Sequence, residues 1–180
     1  MSSALIIIDI QLDYFKNGAM ELVGAEEAAA NAKLILASFR SQNLPVIHIQ
    51  HISTRPEATF FLPDTTGVRI HPDVTPLPDE RVIVKHYPNS FRETGLLAYL
   101  QTLPIQDLVI IGMMTHNCID STTRAAKDFG YDCTIIADAC ATKDLQLNSK
   151  LVPAEFVQNA FLAGLSYYYA NIVTTEAFLK

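Results

Sequence analysis

The chain has 180 residues, a length that fits one folded domain spanning 1–180, and its 19 acidic and 13 basic residues leave a net charge of −6. No Lys/Arg cluster supplies the footprint of a nucleic-acid binder, and no apolar run approaches the roughly 18 residues of a membrane span. Three cysteines, an odd number without a CxxC pair, argue against a disulfide framework and fit a reducing cytoplasm.

The opening MSSALIIIDIQ lacks a basic n-region and meets an Asp early. Ala4–Ile10 therefore reads as a first strand, buried on both faces, rather than as a signal peptide. From Ala25 to Gln42, Ala28, Ala32, Ile35, Leu36 and Phe39 recur at helical spacing. Pro45–His51 is a second strand. Residues 52–80 hold five prolines (Pro56, Pro63, Pro72, Pro76 and Pro78) and form a long loop, a feature that is usually functional in a compact domain. Arg81–Lys85 is a third strand, and Thr94 is placed to cap a short helix reaching about Thr102. Asp107–Gly112 is a fourth strand. Cys118–Phe129 reads as a helix stopped by Gly130. A fifth strand follows at Asp132–Ala137, a long helix at Val152–Tyr169 with Pro153 in its first turn, and a sixth strand at Asn171–Thr174. Apolar strands alternating with helices give an α/β class with a parallel sheet covered on both faces. Ligands of such sheets bind beyond the carboxyl ends of the strands.

Three reactive side chains fall at that edge. Asp9 lies near the end of the first strand, Lys85 closes the third, and Cys118 follows the fourth at the start of a helix. Each has an ordinary structural use: a turn cap, a solvated strand end, an inert buried thiol. Together they suit nucleophilic catalysis. A helix N-terminus and an ammonium both favour thiolate, and a carboxylate can take the thiol proton and return it to a leaving amine.

The stretches IIIDIQLDYF at 6–15, VIVKHYPNSF at 82–91 and GMMTHNCIDSTTRAAKDFGYDCTIIADACAT at 112–142 resemble the isochorismatase-like cysteine hydrolases, which include nicotinamidases and N-carbamoylsarcosine amidases. The resemblance runs over nearly the whole chain. It implies a three-layer α/β/α fold around a six-stranded parallel sheet. It also implies a triad of Asp9 as general acid/base, Lys85 as electrostatic partner and Cys118 as nucleophile, working through an acyl-enzyme. A non-proline cis peptide at Met113–Met114 is implied too, with the N–H groups of Met114 and Cys118 as oxyanion hole. Dimers or larger homo-oligomers are expected, with pockets near interfaces.

Two departures sharpen the reading. Isochorismatases that cleave a vinyl ether tend to lack the nucleophilic cysteine, so Cys118 favours a C–N bond of a small molecule. Nicotinamidases hold a metal with D-x-H after the second strand, whereas this chain has HIQHIS at 48–53. His48, Gln50 and His51 fit no usual ligand set, so neither a metal nor any other cofactor is expected. His71, His86 and His116 read as pocket or surface residues. Candidate pocket residues are Phe15, His51, Tyr87, Phe91 and Met114, with Phe60 and Phe61 from the long loop; Gln11 is placed to hydrogen-bond near the triad. Cys133, in a strand, and Cys140, in a loop, read as structural. The alternatives are vinyl-ether hydrolysis and a non-catalytic ligand-binding or redox-sensing protein. Retention of Asp9 and Lys85 argues against the second, because thiol sensing needs neither.

Overall fold

The apolar runs become the strands of one sheet. In the computed structural model, which describes residues 3–180, these are Ser3–Ile8 (β1), Val46–His51 (β2), Arg81–Lys85 (β3), Asp107–Met113 (β4), Asp132–Ala141 (β5) and, after a small hairpin of Leu145–Leu147 (β6) and Lys150–Val152 (β7), Asn171–Val173 (β8). The six long-range partners are all parallel and lie in the order β3-β2-β1-β4-β5-β8. The helices are Ala25–Ser41 (α1), Leu96–Leu100 (α2), Asp120–Asp128 (α3), Ala154–Ser166 (α4) and Thr175–Leu179 (α5).

Side chains alternate across a strand, and β1 shows why it must be apolar throughout. Leu5 and Ile7 enter one core with Ala28, Ala32, Ile35, Leu36 and Phe39 of α1. Ala4, Ile6 and Ile8 enter the other, with Leu96 and Leu100 of α2, Ala126 of α3 and Leu165 of α4. Each such fully buried Leu, Ile or Phe side chain stabilises the fold by about 1.5–3 kcal/mol. The helical stripe read from the sequence is the buried face of α1 without exception.

The strand order reverses beside β1, whose neighbours are β2 on one side and β4 on the other. A crevice opens at the carboxyl edge of such a switch point. There β4 approaches β1 closely. Gly112 has φ 125°, and a Cβ at that position would lie 2.0 Å from the Ile8 carbonyl oxygen, so only glycine fits.

The structure also differs from the sequence reading in several places. β1 stops at Ile8, and Asp9 is the first residue beyond it. β5 runs on to Ala141, so Cys140 is a strand residue rather than a loop residue; a register shift against β4 between Ile110 and Gly112 lets the strand continue. Cys118 is not the first residue of its helix: Thr115–Ile119 form a wide π-type turn that leads into α3. At the far end, Gly130 adopts φ 93°, the N–H of Gly130 donates to Lys127 O, and that of Tyr131 to Ala126 O, which closes α3. The short helix α2 has Gly95 rather than Thr94 at its N-cap, the Thr94 hydroxyl accepting only from the Leu96 N–H at 3.3 Å, and it ends at Leu100 rather than Thr102. Val152 belongs to the β6–β7 hairpin, so α4 starts after Pro153 and ends at Ser166. Among the described residues, no helix is long and apolar enough to cross a membrane.

Candidate active site

The carboxyl edge brings Asp9, Lys85 and Cys118 together. Asp9 turns out of β1 in a left-handed conformation, φ 51°, and its N–H is held by the Ile49 carbonyl at 3.1 Å. Lys85 stands two strands away from β1. Adjacent strands lie about 4.8 Å apart, so the gap is roughly 10 Å; the long Lys85 stem, passing its register partner His51, and the Asp9 side chain close it together. The Lys85 Nζ atom is 2.7 Å from Asp9 Oδ2, 3.0 Å from His51 Nδ1, 3.1 Å from the Tyr87 carbonyl and 3.3 Å from Cys118 Sγ. An ammonium has three hydrogens, and here they face four acceptors. All three members of the set are buried, Asp9 and Lys85 completely. Although Asp9 Oδ2 is so close to Lys85, neither Asp9 oxygen receives a well-directed hydrogen bond.

The electrostatics follow from burial and charge. Burial raises the Asp9 carboxyl above its ordinary value, and Lys85 pulls it back only in part. Burial lowers the Lys85 ammonium, but Asp9 and Cys118 more than offset that, and the net shift is upward. Burial, then the Asp9 charge, pushes the Cys118 thiol up to about 12, against the opposing pull of Lys85. The sequence argument for a lowered thiol pKa therefore fails at rest: desolvation outweighs the ammonium. Cys133 and Cys140 are likewise pushed up to about 12, chiefly by burial, so acidity does not single out Cys118. Its position beside a carboxylate and an ammonium does.

The other candidate residues fall in different places. Burial and then Lys85 pull His51 down to about 3, so it is neutral and accepts from the ammonium through Nδ1. Tyr87 lends its carbonyl to Lys85, while its ring lies 3.7 Å beneath the Arg92 guanidinium. Phe15 is buried and stacks on His71 with ring centroids 4.0 Å apart. Phe91 packs on Phe129 at the far end of α3. Phe61 lies beside both His51 and Tyr14. Met114 is buried and the Met113–Met114 peptide is cis. The turn after it folds back onto the Met114 carbonyl, which accepts from Asn117 at 3.0 Å and Ile119 at 3.2 Å, with the Cys118 N–H between these two donors.

Two residues on the first loop organise the wall of the site. Gln11 is fully buried; its amide donates to the carbonyls of His51 (2.9 Å) and Val68 (2.8 Å), and its oxygen accepts from the His51 N–H (2.7 Å). Asp13 accepts from the Phe61 N–H at 2.6 Å. The sequence marked Gln11 as a hydrogen-bonding residue near the triad, but its partners 40 and 57 positions away were not readable, and Asp13 carried no signal at all.

One ligand atom each from Asp9, His51 and Cys118 lie within 4.8 Å of one another, a set that could hold a metal by residue type. The set does not fit one here. The Lys85 ammonium is within 3.3 Å of a donor atom of all three and already supplies the positive charge. His48 is turned away and bound to Glu80, and His71 is stacked on Phe15.

Residues 3–177 match the isochorismatase domain model, and the chain belongs to the isochorismatase family of hydrolases. Among its relatives is YddQ, an uncharacterised isochorismatase family protein of Bacillus subtilis strain 168, 53% identical over 180 residues and covering all of both chains. A streptothricin hydrolase of Streptomyces noursei is 31% identical over 142 residues, 79% of this chain and 50% of that protein. A crystal structure from Oleispira antarctica assigned to the isochorismatase hydrolases superposes with a TM-score of 0.94 at 47% identity, covering 98% of this chain and 95% of that one. The six-stranded parallel sheet flanked by helices is the architecture they share.

Proposed function

We propose that the protein is a cysteine hydrolase that cleaves an amide- or carbamoyl-type C–N bond of a small molecule through an acyl-enzyme on Cys118. The observation that carries this reading is the single ammonium, Lys85, held within 3.3 Å of both a buried carboxylate and a buried thiol at the switch point of the sheet. At rest the cluster is electrically balanced, with Asp9 ionised, Lys85 charged and the thiol protonated. Releasing the thiol proton to bulk water would leave a net buried negative charge, which is costly. Passing it to Asp9 leaves a neutral acid beside a thiolate–ammonium pair, and the net charge of the site does not change.

The chemistry then follows in balanced steps. The Cys118 sulfur attacks the substrate carbonyl carbon as its proton moves to Asp9, and a C–S bond forms. Asp9 gives that proton to the departing nitrogen, and the C–N bond breaks. Water, losing a proton to Asp9, attacks the thioester; the C–S bond breaks and the proton returns to sulfur. The N–H groups of Met114 and Cys118 would stabilise the oxyanion of both tetrahedral intermediates. The sequence reading gives Phe15, His51, Tyr87 and Phe91 as the pocket wall; Phe91 packs on Phe129, and Phe61, beside His51, takes its place in this proposal. That a relative is named as a hydrolase supports the class of reaction.

The test is a screen against small amides, ureas and carbamoyl compounds, followed by mass spectrometry of the quenched enzyme during turnover. An acyl adduct on the Cys118 peptide is expected. Turnover that persists in Cys118→Ala would overturn the reading.

A further inference from the structure

Asp9 is left without a hydrogen bond by its own counter-ion, and a neighbour accounts for that. The Lys85 ammonium has three hydrogens. Its directed hydrogen bonds run to His51 Nδ1 at 3.0 Å, to the Tyr87 carbonyl at 3.1 Å and to Cys118 Sγ at 3.3 Å. Asp9 Oδ2 is closer than any of these, at 2.7 Å, yet receives none of the three. The carboxylate therefore has the attraction of the charge without the bond. Of the two neutral oxygen and nitrogen acceptors that outcompete it, the Tyr87 group is backbone, which any residue would supply. The other, His51, competes through its side chain.

The position of His51 is fixed for this competition. It ends β2, in register with Lys85 on β3, and Gln11 holds its backbone from both sides. Burial and then Lys85 keep the ring neutral, so Nδ1 keeps the lone pair that accepts from Nζ. The other ionisable groups around Asp9 are Lys85 on β3, Cys118 in the turn before α3 and Tyr14 on the first loop. Of these, only Lys85 is charged at neutral pH, because burial and the Asp9 charge push both the thiol and the phenol up.

We propose that His51 is a positioning residue that keeps Asp9 available as proton acceptor, by drawing off the Lys85 hydrogen that would otherwise bind the carboxylate. A hydrogen bond to a carboxylate favours its charged form and makes it a poorer base. Without an acceptor at position 51, one hydrogen of Nζ is free, and the nearest charged atom to receive it is Asp9 Oδ2. Asp9 then holds its charge more firmly and takes the thiol proton less readily. His51 thus acts on the sulfur at two removes, through Lys85 and then Asp9. This role rests on the reading of Cys118 and Asp9 as a proton-passing pair, but its test needs no substrate.

Iodoacetamide is the probe, since alkylation of Cys118 draws on the same proton movement: the C–S bond forms, iodide leaves and the thiol proton goes to Asp9. Labelling rates of the full chain are followed peptide by peptide from neutral pH downward, with Cys133 and Cys140 as references. The wild-type Cys118 rate is expected to fall with acid at a midpoint set by Asp9, above 3.8 because burial raises that carboxyl. In His51→Leu the midpoint should move down by about one pH unit and the neutral-pH rate should drop roughly tenfold, the weight of one hydrogen bond to a charged group. His51→Asn places an oxygen where Nδ1 stood, facing the ammonium, and should restore most of both. Gln11 grips only backbone, so circular dichroism is expected to show both variants folded. A change of access alone would raise the rate and leave the midpoint in place; that result in His51→Leu overturns the role of His51. So does an Asn variant no closer to the wild type than the Leu variant. A wild-type rate with no such midpoint would instead remove Asp9 from proton passing, and the role of His51 with it.

Discussion

β3 is five residues long and carries an ionic cluster at each end, partly buried at the amino end and fully buried at the carboxyl end, and the two clusters are built on opposite terms. At the amino edge, Glu80 accepts from Arg40 through both carboxylate oxygens (2.7 and 2.8 Å), from the Leu77 N–H at 2.8 Å and from His48 at 2.9 Å. Every charge there has directed partners, although the buried His48 Nδ1 has none. At the carboxyl edge, Asp9 has one close cation and no well-directed hydrogen bond, and Lys85 is divided among four acceptors. A saturated cluster holds its protons firmly, whereas an under-satisfied one can pass a proton between its members. The lesson is that a buried ion pair is not one kind of object. The first resembles a structural clasp, and the second has the unmet bonding of a reaction centre.

The comparison is broken most directly at Asp9. Asp9→Asn should leave the fold intact and slow turnover by about 10²–10⁴-fold, the usual cost of losing general acid/base catalysis. A folded variant with a near-normal rate would remove Asp9 from the mechanism. Next in size is the effect on stability of emptying each cluster. Replacing a buried ion pair by apolar residues of similar volume is often neutral or stabilising by about 1–4 kcal/mol. Urea denaturation of Asp9→Asn with Lys85→Met, which keeps a residue suited to φ 51° at position 9, is therefore expected to show a protein close to the wild type in stability, and inactive. Glu80→Leu should instead cost about 1–3 kcal/mol, because it strands His48 and the Leu77 N–H. Equal losses at both ends would erase the distinction.

Acid provides a smaller and graded test. Burial acts against the Glu80 carboxylate, but Arg40, the Leu77 N–H and His48 outweigh it and hold the group down at about 2. A depressed carboxyl gives stability that is complete above its unfolded value near 4.5 and drains as pH falls toward 2. Burial also holds His48 below 6.5, so unfolding takes up a proton there and stability begins to fall below that pH. Denaturation midpoints measured from pH 7 downward should decline in these two windows, and Glu80→Gln should flatten the lower one. A wild-type decline confined to the upper window would mean that Glu80 contributes none of the acid-sensitive stability. The smallest effect expected is in thiol labelling: iodoacetamide at neutral pH should modify Cys118 before Cys133 and Cys140, through its carboxylate and ammonium neighbours. Earlier labelling of either of the others would sink that preference.

Much of the reactive edge was legible because polar residues stand out against apolar strands. Asp9 interrupts a run of isoleucines, Lys85 ends one of valine and isoleucine, and Cys118 follows a third. The buried stripe of α1 was legible for the same reason of period. What escaped depends on residues far apart in the chain. The Glu80 cluster joins α1, β2 and the end of the long loop, and no local pattern announces it. The β6–β7 hairpin escaped because strands of three residues are too short to show a period. The rise of the Cys118 pKa escaped because it is set by how completely the fold excludes water, which no motif records.

The anchoring of residues 52–80 has a consequence for how such an enzyme could acquire new substrates. The loop is tied down through its backbone, by Asp13 at the Phe61 N–H and by Gln11 at the Val68 carbonyl. Backbone groups are present whatever side chain is written at those positions. Between the two ties, Gly67 must stay glycine, because a Cβ there would lie 1.9 Å from the Asp13 carboxylate, but the exposed side chains of residues 62–66 are released from the duty of holding the loop in place. The segment behaves as a cassette: its sequence can drift, or be exchanged by an engineer, while Gln11 and Asp13 keep its mounting fixed relative to Cys118.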